Sequence, residues 1–173
     1  DGIESGIYAE DTWQPVQPLK VNGGLRFSHF IASEKQYHFF EPRLSLAWRL
    51  KNDFALKGSY ASMNQYIHML SGTGISLPTD LWVPTTDRVR PQQSRQLALG
   101  MVKDISKPGL TLSLEGYYKT MDHVIGYKEG ASFITLDEPN SAIGINWEDN
   151  VTAGRAWSYG IEFLLQKKEG KLT

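Results

Sequence analysis

The sequence contains no cysteine, and this absence excludes two common ways of stabilising a small protein. A disulfide framework needs paired cysteines, and the usual structural zinc site needs thiolate ligands. A chain without thiols is also compatible with an oxidising compartment of a cell envelope. At 173 residues the chain is long enough for one domain with a sizeable core.

An excess of charge and a long apolar run are missing as well. The 18 lysine and arginine residues against 19 aspartate and glutamate residues give a net charge of -1. Domains that bind nucleic acid carry a clustered positive surplus, so we expect no nucleic-acid partner. No stretch approaches about 18 consecutive apolar residues, which excludes a membrane-spanning helix.

The motifs of the common enzyme classes are absent too. The sequence has no H-E-x-x-H, G-x-S-x-G, phosphate-binding loop or G-x-G-x-x-G. Ser5, Ser62 and Ser71 lack the nearby histidine and aspartate pattern that would mark a nucleophile. The four histidines are scattered. We therefore expect no catalytic residue, no metal site and no cofactor, and we predict that the protein is not an enzyme.

The sequence does contain short segments in which apolar and polar residues alternate. This period of two is typical of a β-strand with an apolar medium on one face and water on the other. The clearest segment is 41–50, where Leu44, Leu46 and Trp48 share one face and Arg43 and Arg49 share the other. We predict seven strands, at 4–13, 19–31, 41–50, 54–66, 94–105, 110–127 and 155–167.

The connections between these strands alternate in length. We predict tight turns at 14–18, 51–53, 106–109 and 168–171, and long loops at 32–39, 67–93 and 128–154. Outer-membrane barrels have short periplasmic turns and longer extracellular loops, whereas the loops of a soluble β-sandwich need not alternate. The pattern favours an all-β fold, an antiparallel up-and-down transmembrane β-barrel wall. A soluble β-sandwich carbohydrate-binding module is the alternative, and an outer-membrane barrel enzyme is a second one.

The last predicted strand shows the expected lipid-facing surface most clearly. Five consecutive positions on one face carry no charge: Trp157, Tyr159, Ile161, Phe163 and Leu165. A lysine or arginine there would cost roughly 2–4 kcal/mol at the middle of the bilayer. Barrels also carry aromatic girdles at both interfaces. The aromatic residues near the short turns are Trp13, Trp48 and Phe54, and those near the long loops are Phe30, Tyr60, Tyr118 and Trp157.

A short internal similarity suggests a local packing device. Gly58 and Gly116 each precede a tyrosine by two positions on the same face, in strands that run toward a long loop. An aromatic ring can cover the exposed backbone of a strand glycine. We therefore expect Tyr60 and Tyr118 to lie over these glycines.

Four segments resemble motifs of one known family. Residues 24–28 (Gly-Leu-Arg-Phe-Ser), 41–48 (Glu-Pro-Arg-Leu-Ser-Leu-Ala-Trp), 90–100 (beginning Arg-Pro-Gln-Gln-Ser) and 158–162 (Ser-Tyr-Gly-Ile-Glu) are similar to strands of TonB-dependent outer-membrane receptors. They occur in the order and at the spacing of that family. The sequence departs from the pattern where Gln92 or Gln93, and Gln96 or Leu97, replace the usual glutamates.

The resemblance implies that residues 1–173 are a partial β-barrel domain, about seven middle-to-late strands of a 22-stranded barrel with a plugged lumen. The plug domain, the TonB box and a terminal aromatic strand are absent from this chain, so we expect a piece of a longer protein. The implied location is the bacterial cell outer membrane, as a multi-pass β-barrel in contact with lipid. The implied function is energised uptake of a scarce nutrient, such as a siderophore-iron complex, haem, cobalamin or a glycan, with the TonB complex as partner.

Only loop residues of this chain are candidates for contact with such a nutrient. Aromatic rings and guanidinium groups suit flat or anionic ligands such as a metal chelate or glycan. The candidates are Trp82, Arg88, Arg90 and Tyr127. Because seven strands leave two unpaired edges and one large apolar face, we also expect the isolated chain to self-associate.

Overall fold

A computed structural model of the chain describes residues 2–32, 35–70, 81–106, 109–128 and 147–167. These residues form nine strands and one short 3₁₀ helix. The strands are β1 (Gly2–Val16), β2 (Leu19–Ala32), β3 (Lys35–Arg49), β4 (Phe54–Gln65), β5 (Ile67–Leu70), β6 (Leu81–Pro84), β7 (Gln92–Ile105), β8 (Leu110–Tyr127) and β9 (Val151–Lys167). The 3₁₀ helix spans Trp147–Asn150.

Seven of the strands form one antiparallel sheet in the order β1-β2-β3-β4-β7-β8-β9, and β5 and β6 form a separate hairpin. Each sheet strand therefore pairs with its neighbour along the chain, as in an up-and-down barrel wall. Among the described residues, no helical segment has the length and hydropathy needed to cross a bilayer. The predicted seven-stranded wall is confirmed. The β-sandwich alternative does not fit, because the apolar residues of this sheet are exposed in the described chain.

The register of the paired strands places the apolar side chains on one face of the sheet. Paired residues on neighbouring strands lie on the same face, and one row of pairs runs Leu46, Gly58, Leu99, Gly116 and Ile161. Ile161 is 80% exposed and Leu99 is 63% exposed. The described chain thus leaves this apolar face open, as expected for a surface in contact with lipid.

The polar face is the concave side of the sheet. A concavity of about 550 Å³ is lined by residues of six strands, from β1 to β8. Its charged lining residues are Glu10, Lys20, Lys57 and Glu115. A surface that crosses six strands is concave only if the sheet curves toward it, so water-compatible side chains point to the inside of the curve and apolar ones to the convex outside.

The short connections at one end of the sheet match the prediction. Asn52 and Asp53 have φ of 59° and 55°, which these two residue types tolerate in a tight hairpin turn. Leu50 N donates to Phe54 O at 2.7 Å to close that turn. Pro15 falls in β1, where the pairing with β2 shifts register between Trp13 and Val16; such irregularities tolerate proline. The turn predicted at 168–171 lies outside the described residues.

The connections at the opposite end differ from the prediction in one place. The predicted loop 32–39 is wrong, because β2 and β3 stay paired up to Ala32 and Lys35. Cross-strand pairs of rings hold them together: Phe30 faces Tyr37, and the rings of His29 and His38 stack at 4.5 Å. Because this segment is polar, the sequence pattern did not indicate that it forms paired strands. We call this end the outer end, since the long connections after β4 and β8 also lie there.

Two further sequence predictions are corrected by side-chain placement. Phe30 is not part of a lipid-facing girdle, because it is buried on the concave side against Tyr66. The tyrosines do not cover Gly58 and Gly116. The space beside Gly58 is filled by Leu99, and a backbone oxygen lies beside Gly116.

Candidate functional site

The β5–β6 hairpin lies in the long connection between β4 and β7. Alternate residues of β5 are buried, namely His68 and Leu70, while Ile67 and Met69 are exposed. Across the hairpin, His68 pairs with Val83 and Met69 pairs with Trp82. The hairpin thus has one face packed on the protein and one face open to solvent at the outer end.

An apolar cluster anchors the hairpin to the outer ends of β8 and β9. Leu70, Val83, Val89 and Val151 are buried together, and Ile125, Tyr127 and Trp147 pack against them. Burying one such leucine or valine side chain stabilises a fold by about 1.5–3 kcal/mol. The hairpin is therefore fixed at this side by ordinary core packing.

A second cluster anchors the same connection to β2 and β3. Tyr66, which directly follows β4, stacks on Phe30 with ring centroids 4.8 Å apart and planes 3° apart. Ala32 and Tyr37 are buried in the same cluster. Tyr37 Oη also donates to the backbone oxygen of Thr86 at 2.8 Å, two residues after β6. The connection after β4 therefore packs against β2 and β3 as well as against β8 and β9.

A buried carboxylate organises the polar part of this second cluster. Glu41 is only 3% exposed. Its Oε1 accepts from Ser28 Oγ at 3.0 Å, from Asn64 Nδ2 at 3.1 Å and from Asn64 N at 3.3 Å. Several donors on one carboxylate offset the cost of removing it from water.

The hydroxyl of Tyr66 completes this network. Tyr66 Oη lies 2.6 Å from Ser28 Oγ. Because Ser28 has one hydroxyl hydrogen and gives it to Glu41, Tyr66 must be the donor to Ser28. Burial raises the pKa of Tyr66, and the charge of Glu41 adds to the shift, although the hydrogen bond with Ser28 opposes it. The phenol therefore stays protonated and can donate.

His68 is a buried titratable group within the hairpin. Its Nε2 lies 3.2 Å from Thr85 Oγ1, and its Nδ1 is buried with no hydrogen-bond partner among the described residues. Burial lowers the pKa of His68, because the imidazolium would lose its hydration. The neutral ring therefore fits this position.

An ion-pair cluster joins the segment after β6 to the 3₁₀ helix. Arg88 Nη1 lies 2.9 Å from Asp149 Oδ1 and 3.7 Å from Glu148 Oε2. Lys128 Nζ donates to the backbone oxygen of Asp149 at 2.8 Å. The Arg88–Asp149 pair is exposed at both partners, and such a pair is worth about 0–1 kcal/mol, so it positions the two connections more than it stabilises them.

The matching family model decides what this architecture is. The TonB dependent receptor-like β-barrel family matches residues 2–170. The chain belongs to this family. Its strands form part of a multi-pass β-barrel wall in the outer membrane.

Solved structures support the same fold for this TonB-dependent receptor-like barrel segment. The siderophore receptor PirA from Pseudomonas aeruginosa matches with a TM-score of 0.64 and 17% identity over 94% of this chain and 30% of that one. The ferric-catecholate import receptor Fiu from E. coli K12 matches with a TM-score of 0.61 and 14% identity, over 98% and 26%. The alcaligin outer-membrane receptor FauA from Bordetella pertussis matches with a TM-score of 0.57 and 16% identity, over 98% and 28%.

The chain spans about 30% or less of the length of these three receptors. A comparison with curated proteins finds no match. The family and the similar structures are receptors and importers rather than enzymes. The described residues also contain no group of three or more acidic or histidine side chains that could hold a metal ion.

The four ligand-contact residues predicted from the barrel's sequence lie in different surroundings. Trp82 is 63% exposed and borders an open recess that Tyr66, Asn64 and Glu4 also line. Arg90 is exposed. Arg88 forms an ion pair with Asp149, and Tyr127 packs against the apolar cluster that fixes the hairpin to β8 and β9. Their role in ligand binding stays a prediction, and Trp82 and Arg90 present the open surface it requires.

Sequence reasoning missed the Glu41 network. Glu41 stands at the start of the Glu-Pro-Arg segment and has the parity of the polar face. From that position the sequence pattern indicated only an ordinary charged residue that faces the lumen. Its burial follows from Tyr66 folding back over the concave side, which no local pattern indicates.

Proposed function

We propose that the chain is a barrel segment of a receptor that imports a scarce nutrient across the outer membrane, with an iron–siderophore complex as the preferred ligand. The observation that carries the proposal is the division of one curved sheet into an open apolar convex face and a polar concave face. A wall of this kind separates lipid from a watery lumen. Membership of the TonB dependent receptor-like family supports active uptake.

The choice of a siderophore over haem, cobalamin or a glycan draws support from similar structures. Two of the three are described as a siderophore receptor and a ferric-catecholate import receptor, and the third as an alcaligin receptor. Because the sequence identities are only 14–17%, the similarity supports siderophores as a class of ligand and does not indicate one compound.

The domain organisation belongs to the same proposal. Residues 1–173 are a partial barrel domain, and the plug domain with its TonB box resides elsewhere in the protein. The TonB complex acts on that plug and not on these strands. The protein has no catalytic activity of its own, and the isolated segment self-associates through its two open strand edges.

Contact with the ligand is assigned first to Trp82 and Arg90. Trp82 presents an exposed ring on the hairpin, and Arg90 an exposed guanidinium next to β7. A ring and a cation together fit a flat anionic chelate. Arg88 and Tyr127 act indirectly, because they hold the connections that carry the other two.

Uptake by the complete receptor tests the proposal. A strain lacking the receptor is complemented with the wild type, Trp82→Ala, Arg90→Gln or the control Met69→Ala, which changes an exposed residue directly opposite Trp82. We expect the wild type and Met69→Ala to restore uptake of one class of radiolabelled ferric siderophore in a TonB-dependent manner. Uptake by Trp82→Ala and Arg90→Gln should fall several-fold. Restored uptake of haem or cobalamin instead, or uptake that persists without TonB, would reject the siderophore proposal.

A further inference from the structure

On β4, β7 and β8 the convex face changes from apolar to polar residues toward the outer end. One row of cross-strand pairs is apolar and aromatic: Leu44, Tyr60, Leu97, Tyr118 and Tyr159. The next row outward is Ser62, Arg95, Thr120 and Trp157. The row beyond that contains Gln93, Asp122 and Arg155. On β4, β7 and β8 the apolar surface therefore ends between the first and second of these rows.

The position of this border fits the edge of the hydrocarbon layer. From Leu110, where the apolar surface of β8 begins, to Thr120, the strand rises about 34 Å at about 3.4 Å per residue. A barrel tilt of about 45° reduces this to about 24 Å, and the apolar band of outer-membrane barrels is about 25 Å tall. Arg95, directly opposite Thr120, thus lies where lipid head groups begin.

Arg95 is flanked by hydroxyl groups and lacks a counter-ion. Its cross-strand neighbours are Ser62 on β4 and Thr120 on β8. Its side chain is exposed, and within the described part of the chain it forms no ion pair. The nearest acidic group in the next row, Asp122, is paired with Arg155 at 3.3 Å. The second row therefore carries an uncompensated positive charge beside two hydrogen-bond donors.

We propose that Arg95, Ser62 and Thr120 form a binding site for the phosphate of a lipid head group in the outer leaflet. The guanidinium of arginine matches two phosphate oxygens, and the hydroxyls can donate to a third. The acyl chains of the same lipid then lie along Leu97 and Leu99, on the strand that carries Arg95. The continuity of the site with this open apolar surface favours a lipid phosphate over a free anion. The inference rests on the membrane placement of the wall and not on the nutrient that the receptor imports.

Native mass spectrometry of the complete receptor in mild detergent tests this site. The probes are diphosphoryl lipid A and its phosphate-free counterpart, and inorganic phosphate is the competitor. The variants are Arg95→Gln and Arg95→Lys. The matched control is Arg43→Gln, which removes an exposed arginine from the concave face one row of pairs nearer the inner end. Folding of each variant is verified by the heat-dependent shift of its mobility on a denaturing gel.

We expect the wild type to bind diphosphoryl lipid A more tightly than the phosphate-free lipid. Arg95→Gln should weaken binding of the phosphorylated lipid by about fivefold to tenfold, since one arginine near a membrane surface contributes about 1 kcal/mol and a paired phosphate more. Arg95→Lys should retain most of the affinity, and Arg43→Gln all of it. Equal binding of both lipids, equal losses for Arg95→Gln and Arg43→Gln, or full displacement by millimolar inorganic phosphate would each overturn the proposal.

Discussion

The ring of Tyr117 lies directly over Gly160, its cross-strand partner on the concave face. A methyl group on Gly160 would lie 2.8 Å from Cε1 of that ring and 3.0 Å from Cζ. An aromatic side chain over a strand glycine covers backbone that would otherwise be exposed. The ring-over-glycine contact predicted for Gly58 and Gly116 on the convex face is therefore found at Gly160 on the concave face.

Gly160→Ala should destabilise the barrel because the Tyr117 ring must move. Overpacking of this kind costs about 1–3 kcal/mol, and urea unfolding of the complete receptor measures it. Gly154→Ala in the same strand is the control, since nothing lies within 4 Å of its added methyl group. Combining Gly160→Ala with Tyr117→Ala should remove most of the extra cost. Equal effects of the two glycine substitutions would contradict the contact.

A lysine on the convex face should cost far more than a lysine on the concave face of the same strand. Leu99→Lys places a charge in the middle of the apolar band, for a cost of about 2–4 kcal/mol in a bilayer. Gln96→Lys is the control, because Gln96 shares the polar face with Lys119. Reversible unfolding in lipid vesicles measures both. A similar cost for the two would mean that the convex face does not contact lipid.

Ser28→Ala should loosen the outer end more than Tyr66→Phe. Removing the serine hydroxyl leaves the Tyr66 hydroxyl without its acceptor and Glu41 without one donor, at about 1–3 kcal/mol. Removing the phenol hydroxyl loses one hydrogen bond, at about 1 kcal/mol. Hydrogen exchange of residues 64–70 and 81–86 reports the opening of this anchor. Tyr60→Phe, on the exposed convex face, should leave that exchange unchanged, and a reversed order of the two variants would reject the network.

Acidification should open the β5–β6 hairpin. The folded-state pKa of His68 lies below its ordinary value of about 6.5. Above about pH 6.5 the imidazole of His68 is neutral in both the closed and the opened hairpin. Below that pH the opened hairpin takes up the proton first, because its imidazole is hydrated. Stability of the hairpin is therefore lost as the pH falls from about 6.5 toward the folded-state pKa. Protease cleavage in the hairpin between pH 7.5 and 5.5 measures this effect.

The control for the acid effect is His68→Gln, which keeps a polar side chain but cannot titrate. It should flatten the pH dependence of cleavage over that range. His123→Gln, which changes a histidine at the bulge of β8, should leave the dependence in place. Equal pH dependence in the wild type and His68→Gln would show that another group is responsible.

The strand pattern was predictable because a strand alternates its side chains between two environments. In 157–165 and 42–50 every second residue is apolar, so the sequence alone separates the two faces, and the structure places the five apolar residues of β9 on one face. The tight turn at 51–53 was predictable for an equally local reason, since asparagine and aspartate accept the positive φ that it needs. The family was predictable from four short motifs in order.

The four candidate ligand contacts were chosen by residue type and loop position, and they stay predictions. The structure leaves Trp82 and Arg90 exposed. Arg88 and Tyr127 were found by the same rule, yet they lie in an ion pair and an apolar anchor. Residue type indicates what a side chain can bind. It does not indicate whether other residues of the same protein already contact that side chain.

The sequence by itself determined which residues of each strand share the apolar face and which share the polar face, because that choice repeats every two residues and needs no distant partner. Tertiary structure alone decided that Ala32 and residues 35–39 pair as strands, that β5 and β6 pair with each other, and that Glu41 is buried. Ser28 lies 38 residues from Tyr66 and 13 from Glu41 along the chain. Contacts between such distant residues arise only when the curvature of the sheet brings the strand ends together.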